Sequence, residues 1–415
     1  MKKAILFLII SVMLMPTLLF AQGLKGSSGR FYATIEKTFD VSTGGHLEVN
    51  RVTGDYKVTG WDKAQVNIIQ EIEIKSFTKA EAEEIYKRAQ NAIRISGNRV
   101  MIEGDYNGNR VHNTFTIQVP AVYNIDLKTQ GGDIDLHGVE GQADIGTSGG
   151  DIKVVDTAGR TKASTSGGDL TFSDVSGVIH GATSGGDIDL ENIFGEGDFS
   201  TSGGDITVRN ATDKIKVNTS GGSIRIENVG ADVHANTSGG DIVVQQVKGS
   251  CGINTSGGDI RLDEVEGPLN ANTSGGDITG ADFSAKVSVN TSGGDINLNQ
   301  VKAAVNARTS GGNVKVRMAL EDYDINHAVH LQTSGGSIDL TIPPDLPATI
   351  FAEIKMSRGN YERERYDIYS DFPLTKTGPD EHGQVIIRSE GEINGGGDPI
   401  RLETTGGDIH IRKGK

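Results

Sequence analysis

The sequence predicts an all-β protein: a single-stranded, right-handed parallel β-solenoid of 18-residue coils, with one N-terminal helix. Three observations support this fold class: a Thr-Ser-Gly-Gly motif at a fixed period, apolar residues at fixed places between the motifs, and 57 glycines against only 9 prolines. Collagen would need glycine at every third position, and a disordered chain would lack apolar residues in register. The glycines therefore indicate many tight turns.

The motif, or a close variant, places its first glycine at residue 131 and then at ten equal steps of 18 residues, ending at residue 311. The third and fifth residues after that glycine are nearly always apolar, as at Ile188 and Leu190, which is the alternation of a half-buried strand. Each unit thus contains two short strands and two turns. One turn is Ser-Gly-Gly-Asp. The other centres on a glycine such as Gly141, Gly159, Gly177 or Gly195. Positive φ angles are expected for the glycines of both turns.

A single unit cannot bury its own apolar face, so the units are expected to stack as coils. Equivalent residues would then lie above one another at ~4.8 Å, as in parallel strands. The prediction is specific, because Ile188 and Ile206 must occupy adjacent rungs. Cys251 stands at an apolar position of this pattern and is expected to be a buried small hydrophobic residue.

The N-terminus has the form of a signal peptide over residues 1–21. Lys2 and Lys3 precede an apolar run over residues 4–20, and Ala21 is a plausible cleavage point. The alternative is an uncleaved anchor, since the run approaches the ~20 residues that span a bilayer. After cleavage no transmembrane segment is expected. Export to the periplasm or to the cell surface follows from this interpretation.

The segments on either side of the regular repeats are expected to be caps that cover the open edges of the solenoid. Residues 22–127 form an N-terminal β region with a helix over 78–95, which starts at a capping box of Thr78 and Glu81. Residues 128–316 are the regular repeats. Residues 317–415 form irregular C-terminal coils and a cap, with a loop over 356–383.

The composition excludes several classes of function. A net charge of −15 disfavours nucleic acid as a partner, because phosphate binding needs clustered Lys and Arg. One cysteine cannot form an intramolecular disulfide or a cysteine-based zinc site. The nine histidines are scattered, and the closest pair, His327 and His330, is interpreted as surface residues without a metal.

The second residue after the first glycine is an acid in nine of the eleven turns. These residues are Asp133, Asp151, Asp169, Asp187, Asp205, Asp241, Asp259, Asp277 and Asp295. A structural turn ladder is favoured over a calcium ladder, because Ser223 and Asn313 fill the two other places and share the ability to accept hydrogen bonds in turns. No cofactor is expected, although stacked carboxylates leave room for weak calcium binding.

Of all regions of the chain, the non-repeating C-terminal loop is the one expected to bind a partner. Its candidate binding residues are Tyr361, Arg363, Tyr366, Tyr369 and Phe372. Tyr and Arg are enriched in binding hot spots. The alternative is a loop that folds over the C-terminal coils.

The Thr-Ser-Gly-Gly-Asp-Ile ladder, the early Gly-Gly-His-Leu-Glu-Val and the closing Gly-Gly-Asp-Ile-His-Ile resemble the bacterial "putative adhesin" family, a family of β-solenoid repeat proteins of unknown function. The resemblance covers roughly residues 40 to 412. It implies surface binding to a glycan or protein ligand, and it brings no catalytic or ligand-binding residues with it.

Three functions remain open: an exported non-catalytic adhesin-like or scaffold protein, a carbohydrate-active β-helix enzyme (a polysaccharide lyase or hydrolase), and a purely structural envelope protein. The first is favoured. Enzymes on β-helices interrupt the repeat with acids, bases and sugar-stacking aromatics, whereas this repeat is regular, aromatic residues are 5% of the chain, and Trp61 lies outside the repeats.

Overall fold

The computed structural model describes residues 20–27, 29–104, 110–320, 325–357, 366–381 and 384–414. These residues form 36 strands and one helix, and the chain divides into two compact units, Met1–Ile145 and Gly146–Lys415. The all-β fold with a single N-terminal helix is therefore confirmed. The right-handed winding and the three-part division of the chain stay predictions.

The elements of the first unit are β1 Phe20–Ser27, β2 Arg30–Asp40, β3 Gly45–Asn50, β4 Asp55–Trp61, β5 Gln65–Lys75, α1 Lys79–Ala92, β6 Ile93–Ser96, β7 Arg99–Glu103, β8 Val111–Pro120, β9 Tyr123–Lys128, β10 Ile134–His137 and β11 Glu140–Gly146.

The first unit combines antiparallel and parallel pairing. Strands β1, β2, β5 and β8 are neighbours in an antiparallel order, while β4 runs parallel to β8 and to β10, and β3 runs parallel to β7 and β9. Alternate side chains of these strands are buried, because one face of each strand packs on the core. Inside, the rings of Tyr56 and Phe115 stack with centroids 4.6 Å apart.

Helix α1 starts where the sequence predicts and ends earlier. Thr78 is the N-cap, and its hydroxyl accepts a hydrogen bond from the backbone N–H of Glu81 at 3.2 Å. The carboxylate of Glu81 accepts from Ser76 Oγ at 2.6 Å, so the reciprocal half of the capping box is absent. The predicted extension to residue 95 is wrong, because the chain turns into β6 at Ile93 and pairs there antiparallel with β7.

The end of α1 is completed by a residue from another element. Lys37 Nζ, on β2, donates to the carbonyl oxygens of Gln90 at 2.5 Å and of Ile93 at 2.8 Å. A cation at this place satisfies carbonyl groups that the helix leaves unpaired and complements its dipole. The buried face of α1 consists of Ala82, Ile85, Ala89 and Ala92.

The strands of the second unit are β12 Ile152–Ser164, β13 Leu170–Ala182, β14 Ile188–Phe194, β15 Gly197–Ser200, β16 Ile206–Ala211, β17 Ile215–Asn218, β18 Ile224–Val229, β19 Val233–Asn236, β20 Ile242–Val247, β21 Cys251–Asn254, β22 Ile260–Val265, β23 Leu269–Asn272, β24 Ile278–Phe283, β25 Val287–Asn290, β26 Ile296–Val301, β27 Val305–Arg308, β28 Val314–Met318, β29 Val329–Gln332, β30 Ile338–Ile342, β31 Ala348–Ser357, β32 Ile368–Ser370, β33 Thr375–Glu381, β34 Gln384–Ile393, β35 Asp398–Thr404 and β36 Ile409–Lys413.

In the regular coils each strand pairs in parallel with the strand one coil further on. Ile188 is the register partner of Ile206, and Val217 is the partner of Ala235, so the register step is 18 residues. The coil-on-coil stacking that the repeat predicts is confirmed. The apolar columns are buried along the interior of the coils, and Cys251 lies among them between Val233 and Leu269.

The glycines of the Ser-Gly-Gly-Asp turns have a different reason from the expected one. In the regular coils they do not adopt positive φ angles. A Cβ on Gly186 or Gly204 would instead lie 2.0–2.1 Å from the carbonyl oxygen of the equivalent glycine one coil earlier. Close approach of successive turns therefore requires the second glycine. At the other turn the expectation holds, since Gly159 and Gly177 have φ angles of 115° and 105°.

The last rungs of the solenoid do not follow chain order. Strands β29 and β30 are followed in space by β35 and β36, which run parallel to them. Strands β31 and β32, which come earlier in the chain, pair on the far side of β35 and β36. Antiparallel β34 and β33 then extend the sheet beyond β31. The segment 356–383, expected to be a loop, thus contains strands in its described part.

Candidate functional site

The aspartates of the turn ladder join one coil to the next. Asp151 Oδ1 accepts a hydrogen bond from the backbone N–H of Asp169 at 2.8 Å, and Asp169 Oδ1 accepts from the N–H of Asp187 at 2.8 Å. The same bond recurs with Ser223 and Asn313 in the acceptor role. In the first unit the equivalent bond runs from the N–H of Asp133 to Asp55 Oδ1 at 3.1 Å. This geometry supports a structural role for the ladder.

The ladder leaves the question of calcium to experiment. The carboxylates are exposed at the corners of the coils, and one oxygen of each bonded aspartate already accepts an N–H. Among the described residues no group of three or more His, Cys, Asp and Glu side chains is arranged to hold a metal ion. Weak calcium binding stays a prediction.

The threonines before each Ser-Gly-Gly turn are buried and serve the same corner. Thr237 Oγ1 donates to the carbonyl oxygen of Gly222 at 2.7 Å and accepts from the N–H of Gly240 at 3.4 Å. Each threonine thus joins its own turn to the turn of the preceding coil. One residue earlier, stacked asparagine amides add a second chain of bonds, as from Asn254 Nδ2 to Asn236 Oδ1 at 2.9 Å.

A fourth column of polar residues was missed by the sequence analysis. The seventh residue after the first glycine has a positive φ in nine successive coils, although none of these residues is glycine. Asn192, Asn210 and Asn228 are examples, with φ angles of 55–59° and amide bonds that join each one to the next. Asn and Asp tolerate this conformation better than other residues. Their recurrence at one position in several coils was the available signal.

The outer face of β22, β24, β26 and β28 carries a groove of about 720 Å³. Long side chains stand at its ends and short ones in its middle. Its charged lining consists of Arg261, Asp263, Lys315 and Arg317. Gly280 lies on the floor of the groove between Leu262 and Leu298, its neighbours in register.

The groove has the charge of an anion-binding surface. Three cations and one carboxylate line it, in a chain whose net charge is −15. The outward positions differ from coil to coil, as in the column Arg225, Val243, Arg261, Thr279, whereas the inward positions repeat. A regular scaffold therefore presents an irregular outer surface, which is the part that a partner can recognise.

The predicted binding residues of the C-terminal segment are only partly in the described structure. Tyr361 and Arg363 lie outside the described residues. Tyr366 is half-buried, and Tyr369 is 51% exposed and stacks on His410 with ring centroids 4.9 Å apart. Phe372 is 6% exposed and packs below Lys413. Partner binding by this segment stays a prediction, with Tyr369 as its most accessible described residue.

The two neighbouring histidines were expected on the surface. That interpretation is wrong for His327, which is 3% exposed and whose backbone N–H donates to Asp398 Oδ2 at 2.7 Å. His330 is half-buried. Both are covered by the rung of β35, which the chain supplies about seventy residues later.

Comparison with protein families gives two overlapping matches to a single family model, over residues 63–279 and 230–412. Together these matches span well over half of the chain. The chain belongs to the Toastrack DUF4097 family. The resemblance to a family of β-solenoid repeat proteins is thereby confirmed.

This Toastrack chain has no match among curated proteins. Three solved structures are similar to it. A "putative cell adhesion protein" from Clostridium sporogenes ATCC 15579 is 10% identical over 91% of this chain and 99% of its own, with a TM-score of 0.14. A "putative adhesin" from Bacteroides fragilis NCTC 9343 is 14% identical over 74% and 96%, with a TM-score of 0.15. A "putative lipid binding protein" from Parabacteroides distasonis ATCC 8503 is 13% identical over 74% and 96%, with a TM-score of 0.16.

Within the part of the chain that the structure describes, no helix is long and apolar enough to cross a membrane.

Proposed function

We propose that this Toastrack protein is exported and acts as a non-catalytic, adhesin-like protein that binds a partner at the cell envelope or cell surface. The observation that carries the proposal is the difference between the turns, whose polar residues repeat, and the outward positions of the strands, which vary from coil to coil. The repeated polar residues form bonds between coils, whereas the outward strand positions vary and form the groove of Arg261, Lys315 and Arg317. A rigid scaffold with a variable outer face suits recognition.

Binding by the groove is tested with the purified full chain on arrays of glycans and matrix proteins. We expect the double variant Lys315→Gln/Arg317→Gln to lose binding of an anionic partner by tenfold or more, because it removes two of the three cations. The matched control is Lys153→Gln/Arg209→Gln, which changes the same two columns in coils outside the groove. Equal loss in both variants, or binding by neither variant nor wild type, contradicts the proposal.

Export is tested separately. We expect the mature chain to begin at Gln22 and to be found in the periplasm, on the surface or in the medium, because residues 2–21 have the order of a signal peptide. N-terminal mass spectrometry after cell fractionation measures both. A chain that keeps residues 1–20 and sediments with the inner membrane would mean an uncleaved anchor.

A carbohydrate-active enzyme remains the second candidate, since the groove extends across four rungs and contains Asp263 beside Arg261. Glycoside hydrolysis normally uses two carboxyl groups, and the lining has one. No aromatic side chain lines it either. The test is whether the wild type releases reducing ends or unsaturated uronates from acidic polysaccharides. Release by the wild type that is lost in Asp263→Asn would favour the enzyme and overturn the non-catalytic role.

A further inference from the structure

A second polar depression lies where the 18-residue period breaks. Three rungs meet there that are not evenly spaced in the chain: β27, β29 and β35. Their register partners on the outer face are Asn306, His330 and Arg401, one from each strand. Neighbouring parallel strands are ~4.8 Å apart, so these three side chains form one row across adjacent rungs.

The row lines a pocket of about 370 Å³, together with Lys286, Ala304 and Asn326. That volume lies in the range of small-molecule sites, roughly 300–1,000 Å³. The pocket belongs entirely to the second unit.

Two buried polar atoms of the row have no hydrogen-bond partner within the described part of the chain: Asn306 Oδ1 and His330 Nε2. The other ring nitrogen of His330, Nδ1, lies 3.2 Å from Arg308 Nη2. Arginine can only donate, so Nδ1 accepts and the proton of the neutral ring is on Nε2. Burial, and then the charge of Arg308, lowers the pKa of His330, which favours this neutral ring. The row therefore offers one unused acceptor and one unused donor.

The surroundings of the row are cationic. Lys286 and Arg401 line the pocket, and neither forms an ion pair with another described residue. Arg308 adds a third cation and Glu403 is the acid that acts on the same histidine. In a chain with a net charge of −15, this is a local excess of positive charge.

We propose that this pocket binds an acidic sugar unit. Its carboxylate pairs with Arg401 and Lys286, and its hydroxyl groups donate to Asn306 Oδ1 and accept from the N–H of His330. A fully ionised phosphate or sulfate has acceptors only and would leave Asn306 Oδ1 unpaired. A hydroxylated carboxylic acid satisfies both orphan atoms and the charge. The proposal does not depend on the adhesin-like role, since a free sugar acid and the end of a polysaccharide share this chemistry.

Titration calorimetry of the full chain with galacturonate, oligogalacturonate, galactose and acetate tests the proposal. We expect galacturonate or its oligomers to bind at least tenfold more tightly than galactose, which lacks the carboxylate, and than acetate, which lacks the hydroxyls. Binding of the monomer identifies a site for single units, and binding of oligomers alone identifies a site for polymer ends. Absence of binding by either acidic probe, or equal binding of acetate, overturns the proposal.

Variants place the binding in this pocket. Arg401→Gln is expected to weaken galacturonate or oligogalacturonate binding at least tenfold. Lys286→Gln is expected to weaken the same binding by a smaller factor. Lys162→Gln is the matched control, because it removes one exposed cation from the equivalent strand position of a regular coil. Circular dichroism checks folding, and Lys286→Gln decides the matter should Arg401→Gln fail to fold. Unchanged affinity in the folded pocket variants contradicts the assignment.

Discussion

Single side chains of the repeat act along the axis of the solenoid. Asp259 Oδ1 accepts from the backbone N–H of Asp277, and Thr255 Oγ1 donates to the carbonyl oxygen of Gly240. Both bonds join neighbouring coils. Because every coil repeats them, small contributions add along the stack, which is the expected behaviour of a protein whose units contact only their neighbours.

Replacement of Asp259 by alanine should destabilise the chain by about 1 kcal/mol, since the N–H of Asp277 loses its acceptor. Asp259→Asn should be nearly neutral, because the amide oxygen accepts the same bond and one stacked charge is removed. Urea unfolding measures both free energies. Equal destabilisation by the two variants would show that the charge, and not the acceptor, matters at this corner.

Calcium is tested on the same variants. If calcium binds between stacked carboxylates, adding calcium should raise the melting temperature of the wild type. The rise should be smaller for Asp259→Asn, which lacks one of these carboxylates. An unchanged melting temperature on addition of EDTA would leave the ladder a purely structural one.

Cys251 is expected to be chemically inert in the folded chain. Burial raises the pKa of its thiol to about 12, from an ordinary value near 9. The thiolate is the reactive form, so iodoacetamide should label the native protein far more slowly than the unfolded one. Mass spectrometry of the labelled protein measures the ratio. Rapid labelling of the native chain would contradict the burial of this column.

The same pKa shift makes stability depend on pH. Below pH 9 the thiol is protonated in both states and contributes no dependence. Between about pH 9 and 12 the unfolded chain loses the proton while the folded chain keeps it, so stability falls as pH rises. Cys251→Val should remove this contribution to the fall in stability with rising pH. The column accepts valine, since Val233 occupies the same position on the preceding rung. Identical pH profiles for the two proteins would contradict it.

At the scale of elements, substitutions inside one coil compensate each other. Gly280 stands in a column of large apolar residues, and Phe283 stands in a column of smaller ones. A Cβ on Gly280 would lie 2.7 Å from Phe283 Cζ and 2.3 Å from the carbonyl oxygen of Leu262. The phenyl ring therefore fills the space that the missing side chain leaves.

Gly280→Leu and Phe283→Val should each destabilise the chain by about 1–3 kcal/mol, the first by overpacking and the second by a cavity. The double variant should cost less than their sum, since it restores the residue types of the neighbouring coils. A double-mutant cycle from urea unfolding gives the coupling energy. Additive effects would mean that the two residues do not share one space.

The sequence predicts elements well inside the repeat, and less well where an element is bounded by contacts with a distant part of the chain. The start of α1 follows from Thr78, but its end does not, because the carbonyl groups of Gln90 and Ile93 are satisfied by Lys37 from a strand more than fifty residues earlier. The sequence suggests that the second glycine of each Ser-Gly-Gly-Asp turn is needed for a positive φ angle. It is needed instead because the carbonyl oxygen of the preceding turn leaves no room for a Cβ. Neither contact has a signature in local sequence.

For the whole molecule, register is the quantity that must be kept. Deletion of residues 243–260 removes one full period. It joins Ile242 to Arg261, and this junction has the same residue types as the natural junction of Ile260 and Arg261. Each column then continues, so we expect a folded chain with a melting temperature lower by less than ~5 °C. Deletion of residues 243–251 removes half as much and leaves a coil with one strand.

The shorter deletion is the control and should be the more harmful, because it places unlike columns above one another. Circular dichroism and thermal unfolding measure both variants. Similar stability of the two deletions would contradict a register set by the 18-residue period.

The architecture was thus readable from the sequence, while the candidate sites were readable only in part. The period alone places Ile206 on Ile188. It does not place Arg401 beside His330, because that neighbour depends on a rung supplied out of chain order. The groove arises where the short outward side chains of Thr279 and Ala281 stand between longer ones. Because the outward columns have no usual residue, nothing in the repeat marks the groove or the pocket at His330 as a site.

The order of the last rungs also sets the order in which this protein can be completed. A chain that emerges N-terminus first can add coils one at a time as far as β30, residue 342. The next position in the stack must then wait for residues 398–413, which follow β31 and β32 in the chain. Those two strands therefore appear before the strands on which they pack. Until β35 and β36 have been made, the growing chain therefore exposes the edge of β29 and β30 to whatever strand it next encounters.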